Sequence, residues 1–268
     1  MLNLLLTACI LLLAALQNPA ITWAGQTLDR VRANQAVRCG MSEGLSGFSL
    51  KDTAGHYQGF SVDFCRAVAA AALGNPDKVV FTPVSTANRL PILLSGKIDL
   101  LMRNTTYTFE REAALGVQFA GIYYYDGGAV MVLRRSGVRN IAELNGATIC
   151  VGKRTTYETN LEDYFSHRGW TYKPLSAETL AGKIEALFGG QCQAVCSDRS
   201  ELAAIRMLAP GGPQEYDILP EVISKEPLGP VVQRGDEEWF TLIKWVLFAL
   251  IEAEERGVTQ ANVRTLQK

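Results

Sequence analysis

The stretch "IDLLMRNTTYTFERE", Ile98–Glu112, decides how this chain is read. An apolar run of strand type ends at Met102, a polar turn carrying Thr105, Thr106 and Thr108 follows, and a helix is expected from about Phe109. A strand that stops, turns and enters a helix is the repeating unit of an α/β protein. Thr106 or Thr108 can cap that helix, which leaves backbone amides and the positive end of the helix dipole facing the space beyond the strand. Arg111 adds a planar donor fork suited to a carboxylate. The same residues also fit a plain helix start with Arg111 paired to Glu110 or Glu112, and spacing alone leaves both readings open.

Working outward, the pattern repeats. "AVRCGMS" (36–42), "SVDFCRAVAAAALG" (61–74), "KVVFTPVS" (78–85) and "ANRLPILLSGK" (87–97) alternate strand and helix character before Ile98. "ATICVGK" (147–153), "TTYETNLEDYFSHRG" (155–169) and "AVCSD" (194–198) resume the alternation afterwards, so two α/β lobes with mainly parallel sheets are expected. Open sheets of this type bind ligands beyond the carboxyl ends of their strands, and two facing lobes would share one cleft there. "KRTTYETN" (153–160) places Thr155 and Thr156 at a second helix start, and Asp198 follows the strand "AVCSD". Each also reads as an ordinary cap. Together, two anion-holding helix starts and one carboxylate match a zwitterion, the α-carboxylate and α-ammonium of a free amino acid.

Composition removes other classes. Lys plus Arg number 26 against 27 Asp plus Glu, which gives no excess of basic charge for a nucleic-acid backbone. Residues 1–24 carry no charged side chain and end in Thr22-Trp23-Ala24, so they read as a signal peptide with a cleavage site before Gly25, although the basic start of such segments is missing. "LTAC" ending at Cys9 precedes the apolar run and is not expected to be lipidated. Without that leader Cys39, Cys65, Cys150, Cys192 and Cys196 remain, an odd number in an oxidising compartment, so one thiol stays free. With only His56 and His167, and no CxxC pair, neither a metal nor a cofactor is expected. No G-x-S-x-G elbow, P-loop or dinucleotide fingerprint is present. "WFTLIKWVLFALIEAEERG" (239–257) is interrupted by Lys244 and reads as a buried helix rather than a membrane span.

The strings "CGMSEGLSGFS", "GFSVDFCRAVAAA", "RNTTYTFERE", "FAGIYYYDGGAVMV", "LNGATICV" and "LPEVISKEPLGPVVQRGDEEWFTLIKWVLFALIEAEERGVTQANV" resemble the periplasmic amino-acid-binding proteins of ABC importers, in the branch serving general, polar L-amino-acid uptake. The resemblance runs from about Cys39 to Val263. It implies a type II periplasmic binding fold of two hinged lobes: 25–128 the first, 129–223 the second, and 224–268 the return to the first. It implies that Arg111 clamps the α-carboxylate with Thr106 and Thr156, that Thr155 beside Thr156 also binds the ligand, that Asp198 and Asn104 hold the amino-acid backbone, and that Arg89 faces the ligand side chain or braces its own helix. Cys39 with Cys65 and Cys150 with Cys192 are implied as bridges within each lobe, with Cys196 free. The implied partners are a free L-amino acid, polar, acidic or amide, and a membrane permease complex, with the receptor itself a monomer.

Two departures from the family pattern stand out. Arg154 replaces the glycine usual before Thr155-Thr156, and it is expected to displace the carboxylate loop and weaken binding. The chain also ends sooner than its relatives, and the expectation is a lobe whose apolar surface is less covered. The same fold hosts cyclohexadienyl dehydratases, but no general acid or base can be placed in this sequence. A degenerate receptor that no longer serves transport is the other alternative.

Overall fold

The computed structural model describes residues 26–266, so the signal peptide expected over 1–24 and Cys9 lie outside the described residues. The chain opens with α1 (Gln26–Asn34), β1 (Val37–Met41), the small hairpin β2 (Leu50–Lys51) and β3 (Tyr57–Gln58), α2 (Phe60–Leu73), β4 (Val79–Pro83), α3 (Arg89–Leu94), β5 (Leu100–Leu101), α4 (Phe109–Ala114) and β6 (Val117–Phe119). β7 (Tyr124–Leu133) then crosses into a second lobe of β8 (Thr148–Gly152), α5 (Thr156–Ser166), β9 (Lys173–Ala177), α6 (Leu180–Phe188), β10 (Ala194–Asp198), α7 (Arg199–Arg206) and β11 (Tyr216–Ile218). β12 (Ser224–Leu228) brings the chain back, followed by β13 (Val231–Gln233), α8 (Glu237–Glu255) and α9 (Val263–Leu266).

The first sheet has the order β4-β1-β5-β13-β6 and the second β11-β7-β10-β8-β9, with β12 beside β7. The expected parallel character holds only within each lobe's own βαβ units. β4, β1 and β5 run parallel in one lobe, as do β10, β8 and β9 in the other. β13 and β7 run antiparallel to their neighbours, because the segments that pass between lobes re-enter each sheet against its direction. β7 and β12 pair antiparallel from Ser224 opposite Gly128 to Leu228 opposite Tyr124, and they form the double connection. The expected divisions at 128/129 and 223/224 fall within β7 and at the first residue of β12.

Core packing explains why the last long helix belongs to the first lobe. Trp239, Ile243 and Leu247 recur every four residues, which puts one stripe of α8 against Phe64 and Val68 of α2. The Trp239 indole also donates to the Asp99 carbonyl at 2.8 Å, so its ring is both packed and polar-satisfied. On its other faces α8 leaves Trp245, Phe248 and Leu250 exposed. No helix among the described residues is long and apolar enough to cross a membrane. Cys39–Cys65 staples β1 to α2, and Cys150–Cys192 ties β8 to the approach to β10, while Cys196 is a buried free thiol.

Candidate functional site

The loop after β5 is drawn over the end of the first sheet by its own polar groups. Arg103 turns inward, its Nη1 donating to the Val84 carbonyl at 2.7 Å, and this side chain sets the place of its neighbour Asn104. Thr108, not Thr106, caps α4, its Oγ1 accepting from the Arg111 amide at 3.2 Å. That leaves the Thr106 hydroxyl to donate to Glu226 Oε2 at 2.6 Å. Arg111 does not pair with its helix neighbours. It is buried, and its Nη1 donates to the Thr106 carbonyl at 2.6 Å.

From the second lobe, Thr155 stands at the N-cap of α5, but its hydroxyl donates back to the Gly152 carbonyl at 2.6 Å. Thr156 Oγ1 donates to the same Glu226 Oε2 at 3.0 Å, and Asn160 Nδ2 to its Oε1 at 2.9 Å. Glu226, fully buried on β12, therefore gathers hydroxyls from both lobes onto one carboxylate. Arg154 takes the left-handed backbone that glycine favours, with φ of 60°, so the side chain has not prevented that conformation, and Thr155 and Thr156 still line the cleft.

Asp198 ends β10 and makes no capping bond to α7; it lines the cleft instead. Tyr157 Oη donates to Oδ1 at 2.5 Å and Asn104 Nδ2 to Oδ2 at 2.8 Å. Burial, and then the neighbouring Glu201 carboxylate, push the Asp198 carboxyl up to about 7 against these two hydrogen bonds. Glu201 goes the other way. Burial alone would raise it, but the Lys183 ammonium beside it and the Ser197 hydroxyl outweigh burial and hold it down at about 2.

Arg89, the first residue of α3, is 3% exposed, and its Nε has no hydrogen-bond partner among the described residues. Burial, then the charges of Arg111 and Arg103, hold its guanidinium well below the usual arginine range. Asn104, Thr106, Thr155, Thr156, Asp198 and Arg89 line one small space of about 10 Å³ between the lobes. Arg111 is not on its wall. It lines an adjoining cavity of about 610 Å³, which Arg89, Thr155 and Thr156 also border.

Residues 37–261 match the model of the bacterial extracellular solute-binding proteins, family 3. The chain belongs to this family. It is 47% identical over 237 residues to the general L-amino acid-binding periplasmic protein AapJ of Rhizobium johnstonii, covering 88% of this chain and 69% of that one. It is 44% identical over 240 residues to the glutamate/glutamine/aspartate/asparagine-binding protein BztA of Rhodobacter capsulatus, covering 90% and 71%. Among solved structures, a periplasmic binding protein of Brucella ovis with glutathione bound superposes with a TM-score of 0.86 at 43% identity, covering 90% of this chain and 76% of that one. These relatives are named as solute-binding proteins.

In this family 3 solute-binding protein the cleft holds more polar groups than sequence reasoning found. Arg103, Tyr157, Lys183, Glu201 and Glu226 were missed. Arg103 and Tyr157 sit beside residues already singled out, and Glu201 lies one helical turn beyond Asp198, so all three were within reach of the motifs. Lys183, inside an amphipathic helix, carried no such signal. No group of His, Cys, Asp and Glu that could hold a metal occurs among the described residues.

Proposed function

We propose that this chain is a periplasmic receptor that captures a free L-amino acid with a polar, acidic or amide side chain and delivers it to an ABC permease. One observation carries the reading. Among the described residues the buried Asp198 carboxylate has no ion pair, only the neutral partners Tyr157 and Asn104, while Arg89 and Arg111 lack a carboxylate within ion-pair distance. An unpaired buried charge is costly, and a zwitterion supplies both missing partners at once. The α-ammonium goes to Asp198 with Asn104 beside it. The α-carboxylate goes to Arg111 in the adjoining cavity, where Thr155 and Thr156 border both spaces and Thr106 lines the inner one. Arg89 meets the side chain, in keeping with the acidic and amide amino acids named for the Rhodobacter relative.

The lobes open and close about the paired connectors β7 and β12, as hinge-bending receptors do. The receptor works as a monomer exported by its leader, and it carries out no chemistry on its ligand. Titration calorimetry of the chain from Gly25 to Lys268 against a panel of L-amino acids tests the reading. Saturable binding of acidic or amide members is expected, with arogenate and prephenate recovered unchanged. Turnover of either acid would replace the receptor with a dehydratase.

A further inference from the structure

The cavity beside the inner space is larger than a free amino acid needs. Its volume of about 610 Å³ falls in the range of roughly 300–1,000 Å³ that sites for drug-sized ligands occupy, whereas an amino acid such as glutamate has only about ten non-hydrogen atoms. Three guanidinium groups border it: Arg89, Arg111 and Arg154. Leu90, Pro91 and Leu115 add an apolar wall. Of its two acids, Glu158 is already engaged, accepting from Ser176 Oγ at 2.7 Å and from the Arg154 amide at 2.8 Å, and Glu110 lies exposed at the start of α4.

Arg154 joins the two sides of this cavity. It belongs to the second lobe, and its Nη1 donates to the Ala87 carbonyl of the first at 3.2 Å. A non-glycine residue in left-handed backbone carries strain of order 1–3 kcal/mol, and such strain tends to be kept where a side chain has a task. Among the described residues the Arg154 side chain has no ion pair, and Arg89, buried beside the same space, has an Nε without a partner. Two cations free of carboxylates at a cavity that continues the ligand cleft point to a second anionic group on the ligand.

We infer that the cleft accepts an amino acid extended through an amide bond to a further carboxylate. In this arrangement the ammonium end sits at Asp198, the extension fills the larger cavity against Leu90 and Leu115, and the terminal carboxylate lies between Arg154 and Arg89. The inference rests on the amino-acid reading above and enlarges its ligand class to acidic peptides joined through a side-chain carboxyl. The Brucella relative with glutathione bound is a precedent for that chemistry on the same fold.

The test is calorimetric titration of the Gly25–Lys268 chain and its Arg154→Gly variant with L-glutamate, reduced glutathione, and glutathione esterified at its glycine carboxyl. Glycine suits the backbone at 154, so the variant removes the cation without adding strain, and a thermal melt verifies its fold. Glutathione is expected to bind at least tenfold more tightly than glutamate. Esterification and Arg154→Gly should each cost it tenfold or more, with glutamate affinity unchanged within twofold. Glutamate binding without glutathione binding, or glutathione binding indifferent to Arg154 and to the ester, overturns the inference and leaves the amino-acid receptor standing. Binding of neither by the folded chain overturns both.

Discussion

Asn104 reaches across the cleft: from the first lobe its Nδ2 donates to Asp198 Oδ2 in the second at 2.8 Å. The same nitrogen donates to Glu201 Oε2 at 2.8 Å, so one amide holds two buried carboxylates of the opposite lobe. Asn104→Ala removes both bonds. The ligand-free protein should then favour the open form, seen as a larger radius of gyration by X-ray scattering. Amino-acid affinity should fall roughly tenfold, as expected for loss of hydrogen bonds to charged groups at about 1.5–3 kcal/mol each, partly replaced by water. An unchanged scattering curve together with unchanged affinity would remove Asn104 from the account.

Binding should release a proton near neutral pH. Asp198 sits at about 7 because it is buried beside Glu201, and an arriving ammonium favours the ionised form. At pH 6 the carboxyl is mostly protonated, so capture of the zwitterion expels close to one proton; at pH 8.5 it expels almost none. Calorimetry in buffers of different ionisation enthalpy measures this directly. Heats independent of buffer at pH 6 would show that Asp198 is not the ammonium site.

The same shift sets an opposite effect on stability. The folded-state value of Asp198 lies above its ordinary 3.8, so its contribution to stability is present below that pH and is lost as the pH rises through about 7. Asp198→Asn should therefore make the ligand-free protein more stable at pH 8, by an amount on the order of 1–4 kcal/mol, while abolishing tight ligand binding. A denaturant titration at pH 8 that finds the variant less stable contradicts the assignment.

Lys183 and Glu201 behave as a unit. Both are buried and ion-paired, and removing one strands the other's charge, which costs roughly 3–5 kcal/mol in comparable pairs. Lys183→Met and Glu201→Gln should each destabilise by that order at pH 7, and the double variant should recover much of the loss. Because Glu201 is held at about 2, its contribution should persist above about pH 4.5 and fade as the pH drops toward 2. Strict additivity of the two substitutions would show that the pair is not coupled.

The fold was legible because its signals are local. Strand-to-turn-to-helix units around Met102, Gly152 and Asp198 follow from periodicity and caps, and the cleft follows from where those strands end. The antiparallel entry of β7 and β13 was not legible, since the direction of a crossing strand depends on which sheet it joins far along the chain. Among the candidate residues, Asp198 and Arg111 stand out in the sequence by their positions after a strand and in a first helical turn, and the fold buries both beside the cleft. Which Thr capped α4 could not be read there, because the choice turns on Glu226, which is 120 residues away from Thr106 and holds its hydroxyl. Lys183 was hidden for the same reason: only the fold brings α6 to Glu201.

The cysteines give a check independent of the ligand. Bridges spanning sequence separations of 26 and 42 residues should each contribute about 3–4 kcal/mol by loop-closure entropy. Cys196 is fully buried, and burial pushes its thiol well above the usual range, so it should resist a thiol reagent in the native state. The chain from Gly25 should show close to no reactive thiol when folded and one in denaturant without reductant. More than one in denaturant would mean that a bridge has not formed.

In the proposed receptor Arg111 and Asp198 grip the two charges of an amino acid, and the decisive experiment is titration of the Gly25–Lys268 chain with L-glutamate beside its Arg111→Ala variant. Saturable one-to-one binding is expected, which the variant loses by roughly a hundredfold, as truncation of one member of a buried charge pair implies. A folded chain that takes up no glutamate, or an Arg111→Ala variant that binds it as well as the parent, would contradict the account.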